Sequence, residues 1–251
     1  MNREAQAVVL LLTGVALLHA GLSDLYLRYV KAGLQPLLLA AGAVLVAAAA
    51  ATAWYELRGS RRTGQGPCDG HEDAHDGAHE AAGAHPHHEP KVAWLLVLPV
   101  LALVLVAPPA LGSYSAARTG TSVPRPFGFP ALPAGDPLRM ETGDYAGRAV
   151  YDGGRSLGGR QLILTGFVSI GRDGTPYLTR MVLNCCAADA RPVKIGLTGQ
   201  VPPVLRPDAW LEMTGTYTPR RAKDPVNDGP VPFLDVSRAR PVREPAEPYE
   251  G

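Results

Sequence analysis

Gln161–Ile170 reads QLILTGFVSI, a period-two run of apolar residues bounded by turn residues, and it has four companions downstream. These are Tyr177–Asn184 (YLTRMVLN), Val193–Thr198 (VKIGLT), Ala209–Thr218 (AWLEMTGTYT) and Phe233–Ala239 (FLDVSRA). Alternation over such short stretches is the pattern of half-buried strands. Gly166 and Gly215 interrupt two of them in similar contexts, Leu164-Thr165-Gly166 and Met213-Thr214-Gly215, as expected where a strongly bent strand turns a barrel corner. Five short bent strands predict a small Greek-key β-barrel of the OB type occupying residues 141–251.

Upstream of the barrel the composition changes twice. Residues 112–140 are rich in Pro, Gly and Ser without a sustained period, which predicts a linker. Before them lie three uncharged apolar runs at 5–22, 34–55 and 92–111, each long enough to cross a hydrocarbon core as a helix. Buried core helices would carry one apolar stripe, whereas these runs are apolar on every face. The first could also be a cleaved signal peptide, with Arg3 as its basic start and Ala20 at a cleavage point, although Leu18 fits that site poorly. The predicted fold class is therefore α+β: a region at 1–111 with three transmembrane helices, then the five-stranded OB-like β-barrel. Near the span ends Arg3, Arg58, Arg61, Arg62 and Lys91 stand against Arg28, Lys31, Arg118 and Arg125. That balance predicts a cell-membrane protein with an inside amino terminus, a cytoplasmic loop between the second and third spans, and an extracytoplasmic barrel.

The chain has 251 residues, a formal net charge of +1 and a mean hydropathy of +0.01, averages that conceal this segregation. A charge so close to neutral gives no general attraction to nucleic acid, and three Cys cannot staple a disulfide-rich scaffold. The barrel segment lacks a basic run as well, which argues against a nucleic-acid partner despite the OB-like pattern.

Six of the seven His fall in Pro67–Pro90, PCDGHEDAHDGAHEAAGAHPHHEP, together with several Asp and Glu and no Lys or Arg. Neutral imidazole is the commonest ligand of borderline divalent metals, and nearby carboxylates favour the approach of a dication. His71, His75 and His79 recur every four residues, His85, His87 and His88 form a second cluster, and Cys68 adds a thiol. Zinc is the leading candidate, and ligand type alone leaves Ni, Co and Cu open. The spacing does not define a closed four-ligand site, so buffering, sensing or delivery is expected. The alternative is a hydrophilic spacer. His19 lies inside the first apolar run and is a possible intramembrane polar site or a neutral His bonded to another helix. Cys185, Cys186 and Asp189 follow the second strand and form a possible second metal or redox site. Adjacent Cys on an extended chain point to opposite faces, which would let only one enter a given pocket.

The order of these features resembles the YcgQ-like bacterial membrane proteins. The resemblance rests on Leu18-His19-Ala20, the His-rich loop, Leu178-Thr179-Arg180 leading into Cys186-x-Ala188-Asp189, Asp208-Ala209-Trp210, Thr214-Gly215-Thr216 and Glu247-Pro248-Tyr249. It implies that Cys186 matters more than Cys185, and that the partner is a multi-span permease of the YcgR or YraQ type. The functional expectation is a non-enzymatic accessory subunit in divalent-metal transport or homeostasis. The competing expectation is a membrane-anchored interaction or assembly protein without a metal role. No C-x-x-C pair or Ser/His/Asp set is present, and the barrel segment contains no His for acid–base catalysis.

Overall fold

The computed structural model describes residues 3–62, 98, 101–102, 106 and 109–251. The chain divides into two compact units, one comprising Met1–Leu22 and Pro36–Pro108, the other Ser23–Gln35 and Pro109–Gly251.

In the first unit, α1 (Arg3–Leu22) and α2 (Gln35–Arg62) pack through glycines. A Cβ added at Gly14 would come within 2.8 Å of Val46 Cγ2 and 3.0 Å of the Gly42 carbonyl oxygen, and one at Gly42 within 2.9 Å of Leu18 Cγ. Small residues that let two backbones approach are how apolar helices associate where no hydrophobic effect drives them together. Leu11, Val15, Leu37 and Val44 are exposed, so the apolar surface is turned outward rather than into a core. Among the described residues one helix, over Ala32–Tyr55, is long and apolar enough to cross a membrane, with mean hydropathy 2.1; the apolar part of α1, Gln6–Leu22, is shorter. Beyond α2's apolar stretch, Arg58 stacks over Trp54 at 4.4 Å, the aromatic-plus-basic ending typical of a membrane boundary. The expected third span lies largely outside the described residues.

The second unit is a closed five-stranded barrel with additions. Its strands are β2 (Leu162–Ile170), β3 (Pro176–Val182), β4 (Arg191–Gly199), β5 (Trp210–Lys223) and β6 (Pro230–Pro241). All five expected strands are present. Two short strands, β1 (Leu138–Arg139) and β7 (Tyr249–Glu250), run parallel to β2 and β3. The closed order is β2-β5-β6-β4-β3 and back to β2. β2, β3 and β4 are consecutive antiparallel neighbours and β5 returns beside β2, a Greek key; β6 closes the wall by pairing parallel to β4. Both strand glycines sit where backbones crowd. A Cβ at Gly166 would lie 2.7 Å from the Thr179 carbonyl oxygen, and Gly215 coincides with a register shift between β5 and β6.

Alternation then sorts the side chains. Leu162, Leu164, Leu178, Val193, Ile195, Met213 and Leu234 fill the interior. A helix that the strand alternation does not announce, α4 (Thr142–Tyr151), inserts Tyr145, Ala146 and Ala149 into that same core. Buried Tyr145 donates its hydroxyl to the Phe233 carbonyl at 2.5 Å.

The stretch expected as a linker, 112–140, runs along the barrel wall. It contains α3 (Ser113–Arg118), whose Ala116 packs with Phe167, Met181, Leu183 and Tyr249 on the outer face. Thr121 is buried too, and Ser122 donates its N–H to the Pro192 carbonyl. Its Pro and Gly go with irregular backbone, and irregular backbone whose polar groups find partners can pack as tightly as a strand.

Candidate functional site

The cysteine loop follows directly from the end of β3. Leu183 donates its N–H to the Glu250 carbonyl, after which the chain bends at Asn184 and Cys185 and enters a short 3-10 turn, Ala187–Asp189. Asp189 holds the bend together. Its Oδ1 accepts the Asn184 N–H at 3.0 Å and its Oδ2 the Cys185 N–H at 2.9 Å. The Cys185 thiol also donates to Oδ2 at 2.9 Å, and the Cys185 and Cys186 sulfurs lie 3.7 Å apart. Extended geometry would have sent these side chains to opposite faces; the bend puts them together. The ligand atoms of Cys185, Cys186 and Asp189 all lie within 4.8 Å of one another. Both cysteines are free thiols, Cys185 exposed and Cys186 partly covered.

The electrostatics follow from the hydrogen bonds. Asp189 is drawn down to about 2, chiefly by the Cys185 thiol and then by the two backbone N–H groups, all of which bond best to the anion. For the same reason Cys185 is pushed up to about 11, first by donating to Asp189 and then by its contact with Cys186. The thiol thus keeps its proton at neutral pH until something else neutralises the carboxylate.

The loop is also a docking point. Val30 and Cys186 form an antiparallel bridge, Lys31 donates its N–H to the Cys185 carbonyl at 3.1 Å, and Ala187 donates to the Tyr29 carbonyl at 2.7 Å. The connection between α1 and α2 is therefore pinned to the barrel, with Tyr26 and Leu27 buried. Tyr249 reinforces it: its hydroxyl donates to the Arg28 carbonyl at 3.0 Å and accepts the Leu111 N–H at 2.8 Å.

Three of the local motifs singled out in the sequence, those containing Arg180, Asp208 and Glu247, lie around this loop. Arg180 donates to the Glu247 carbonyl at 3.0 Å, lies over the Trp210 ring at 5.0 Å and pairs with Glu250 at 3.3 Å. Glu250 in turn accepts the Thr142 and Gly143 N–H groups that begin α4. Asp208 binds the N–H and hydroxyl of Ser113, at 2.6 and 2.8 Å, starting α3. A cleft of about 550 Å³ opens beside these groups, lined by Leu111, Ser113, Phe167, Asp208, Trp210 and Glu244. Sequence reading did not find the contribution of Val30, Lys31 or Arg28. The signal available was that a connection as short as Ser23–Leu34 carries two Tyr together with Leu25, Leu27, Val30 and Leu34.

The other candidates fare differently. His19 sits in the last turn of α1 with its side chain exposed. His71, His75, His79, His85, His87, His88 and Cys68 lie outside the described residues.

Residues 138–250 match the DUF1980 C-terminal domain family, a span that covers the barrel and α4 but neither of the amino-terminal helices. No curated protein matches the chain, and no solved structure does.

Proposed function

We propose that the protein is a membrane-anchored, non-enzymatic accessory subunit of a permease-type system, the partner implied by its resemblance to the YcgQ-like proteins, and that its His-rich stretch gives that system a divalent-metal role, zinc first. The observation that carries this reading is that the α1–α2 connection belongs to the same compact unit as the barrel. The barrel is thus tied to the apolar helices through their connection as well as through the chain that precedes it.

Connectivity supports the multi-pass topology. If α2 leaves the face on which Ser23–Gln35 and the barrel sit, the chain has to return to that face before residue 109. Between 63 and 108 the uncharged apolar run is the one beginning at Val92, which supports a third crossing. The His-rich stretch then falls on the opposite face from the barrel. Imidazoles and carboxylates would collect metal on the cytoplasmic side of the bacterial cell membrane while an OB-like barrel outside engages the permease. A neighbour is required because three mostly apolar helices provide too few polar groups to line a conducting path.

Native cysteines report the topology directly. A membrane-impermeant maleimide should label Cys185 in intact cells and Cys68 only after permeabilisation; labelling of both from one side refutes the arrangement. For the metal role, replacement of the six loop His by Asn should alter cellular zinc under limitation or excess. Unchanged zinc together with intact co-purification of a permease would favour the assembly-protein reading instead.

A further inference from the structure

We propose that Cys185, Cys186 and Asp189 form a zinc site on the barrel, separate from the His-rich stretch, with three protein donors and one open coordination position.

The spacing fits the ion. Two thiolates each about 2.3 Å from a tetrahedral zinc stand about 3.8 Å apart, and the two sulfurs here are already 3.7 Å apart. A thiolate and a carboxylate oxygen on the same zinc stand roughly 3.5 Å apart, so the 2.9 Å between Cys185 Sγ and Asp189 Oδ2 has to open by about 0.6 Å, within reach of side-chain rotation on the exposed Cys185. That contact is held by the thiol proton, and the metal takes the proton's place: two thiols lose their protons, two sulfur–zinc bonds form, and two protons leave per ion bound. The carboxylate is already ionised and contributes its bond without a proton.

The loop is also held in shape before any ion arrives. Asp189 is aimed by the N–H groups of Asn184 and Cys185, while Tyr29, Val30 and Lys31 fix the backbone of Cys185, Cys186 and Ala187. Little ordering is left to be done on binding, which is how a small number of donors achieves useful affinity. Two sulfurs and one oxygen select zinc over the harder magnesium or calcium. Among the described residues the cluster has these three donors, and Cys185 faces solvent. Three protein ligands with a fourth position open to an external donor is the arrangement of an exchangeable site rather than a closed structural one.

The test uses full-length protein in detergent under reducing conditions, with the six loop His changed to Asn and C68S to remove competing ligands. Cobalt(II) should bind at one ion per chain with sulfur-to-cobalt charge-transfer bands and tetrahedral ligand-field bands, and zinc should displace it. C186S and C185S should each remove much of the charge-transfer intensity, and D189N should weaken binding at least tenfold. In the chain with all three donors intact, zinc should slow alkylation of both thiols by iodoacetamide at least tenfold, a readout that needs no substitution in the site. Absence of sulfur-to-cobalt bands, or alkylation indifferent to zinc, overturns the proposal. Either result concerns the barrel alone, so it is distinguishable from failure of the transport reading, which is measured by cellular zinc.

Discussion

Two ion pairs are buried in the barrel unit, and they are built differently. Lys194 and Asp224 meet at 2.7 Å with 2% and 0% of their side chains exposed. Each neighbouring group is satisfied: Asp224 also accepts the Thr121 and Val226 N–H groups, and the Thr121 hydroxyl accepts the Lys194 N–H. Arg180 and Glu250 are nearly as buried, at 8% each, but are 3.3 Å apart, and Arg180 Nη1 has no hydrogen-bond partner. Burial works against both of these charges, lowering the Arg180 pKa and raising that of Glu250. The first pair is a closed pin that fastens the segment after α3 to the barrel wall. In the second, each charge is held mainly by third parties: Trp210 and the Glu247 carbonyl for Arg180, the start of α4 for Glu250.

That difference predicts unequal costs of breaking each pair. Asp224→Ala strands a fully buried ammonium, and removing one partner of a buried pair costs about 3–5 kcal/mol. Arg180→Met leaves Glu250 with its two backbone donors and fills similar volume against Trp210, so the loss should be about 1.5–3 kcal/mol, the scale of a hydrogen bond to a charged group. Denaturant midpoints of the two variants in the same detergent check the order. Equal losses would mean that Arg180 and Glu250 depend on each other as closely as the other pair does.

The contrast also explains what the sequence disclosed. The barrel strands were legible because burial on one face imposes alternation, and Gly166 and Gly215 marked the crowded corners. The cysteine loop was legible as a cluster of donor types, since Asp189 lies only three residues beyond Cys186. Lys194 was not legible: in VKIGLT it occupies the outward-facing position of an alternating strand, which normally means solvent, and only the distant segments at Thr121 and Asp224 bury it. The helix α4 was missed because TGDYAGRAVY is short and nearly neutral in mean hydropathy, so the helical period of Tyr145, Ala146 and Ala149 is carried mostly by small side chains and two glycines lower its helix propensity. Long-range covering, by 109–124 and by Ser23–Gln35, leaves little local pattern beyond the apolar and Tyr content of the latter.

A smaller effect sharpens the view of the docking at the cysteine loop. Tyr249→Phe keeps the ring packed with Phe167 and Met181 but removes the hydroxyl's bonds to Arg28 and Leu111. The expected loss is about 1–2 kcal/mol, with faster amide hydrogen exchange at Leu111, whose N–H loses its acceptor. If exchange at Leu111 is unchanged, the hydroxyl does not fasten this segment to the barrel.

The smallest effect concerns pH. Glu250 has its folded pKa raised above the ordinary value of 4.5, because burial outweighs the Arg180 charge and the Thr142 and Gly143 N–H groups. A raised carboxyl contributes its stability in full below the unfolded pKa and loses it as pH rises through the folded one. Gln at 250 has no proton to lose. The stability of Glu250→Gln relative to the parent chain should therefore increase as pH is raised through the range just above 4.5, while the other titrating groups, common to both chains, cancel in the difference. Should the variant instead fall behind as pH rises, the Arg180 charge and the helix start would favour the carboxylate more than burial opposes it.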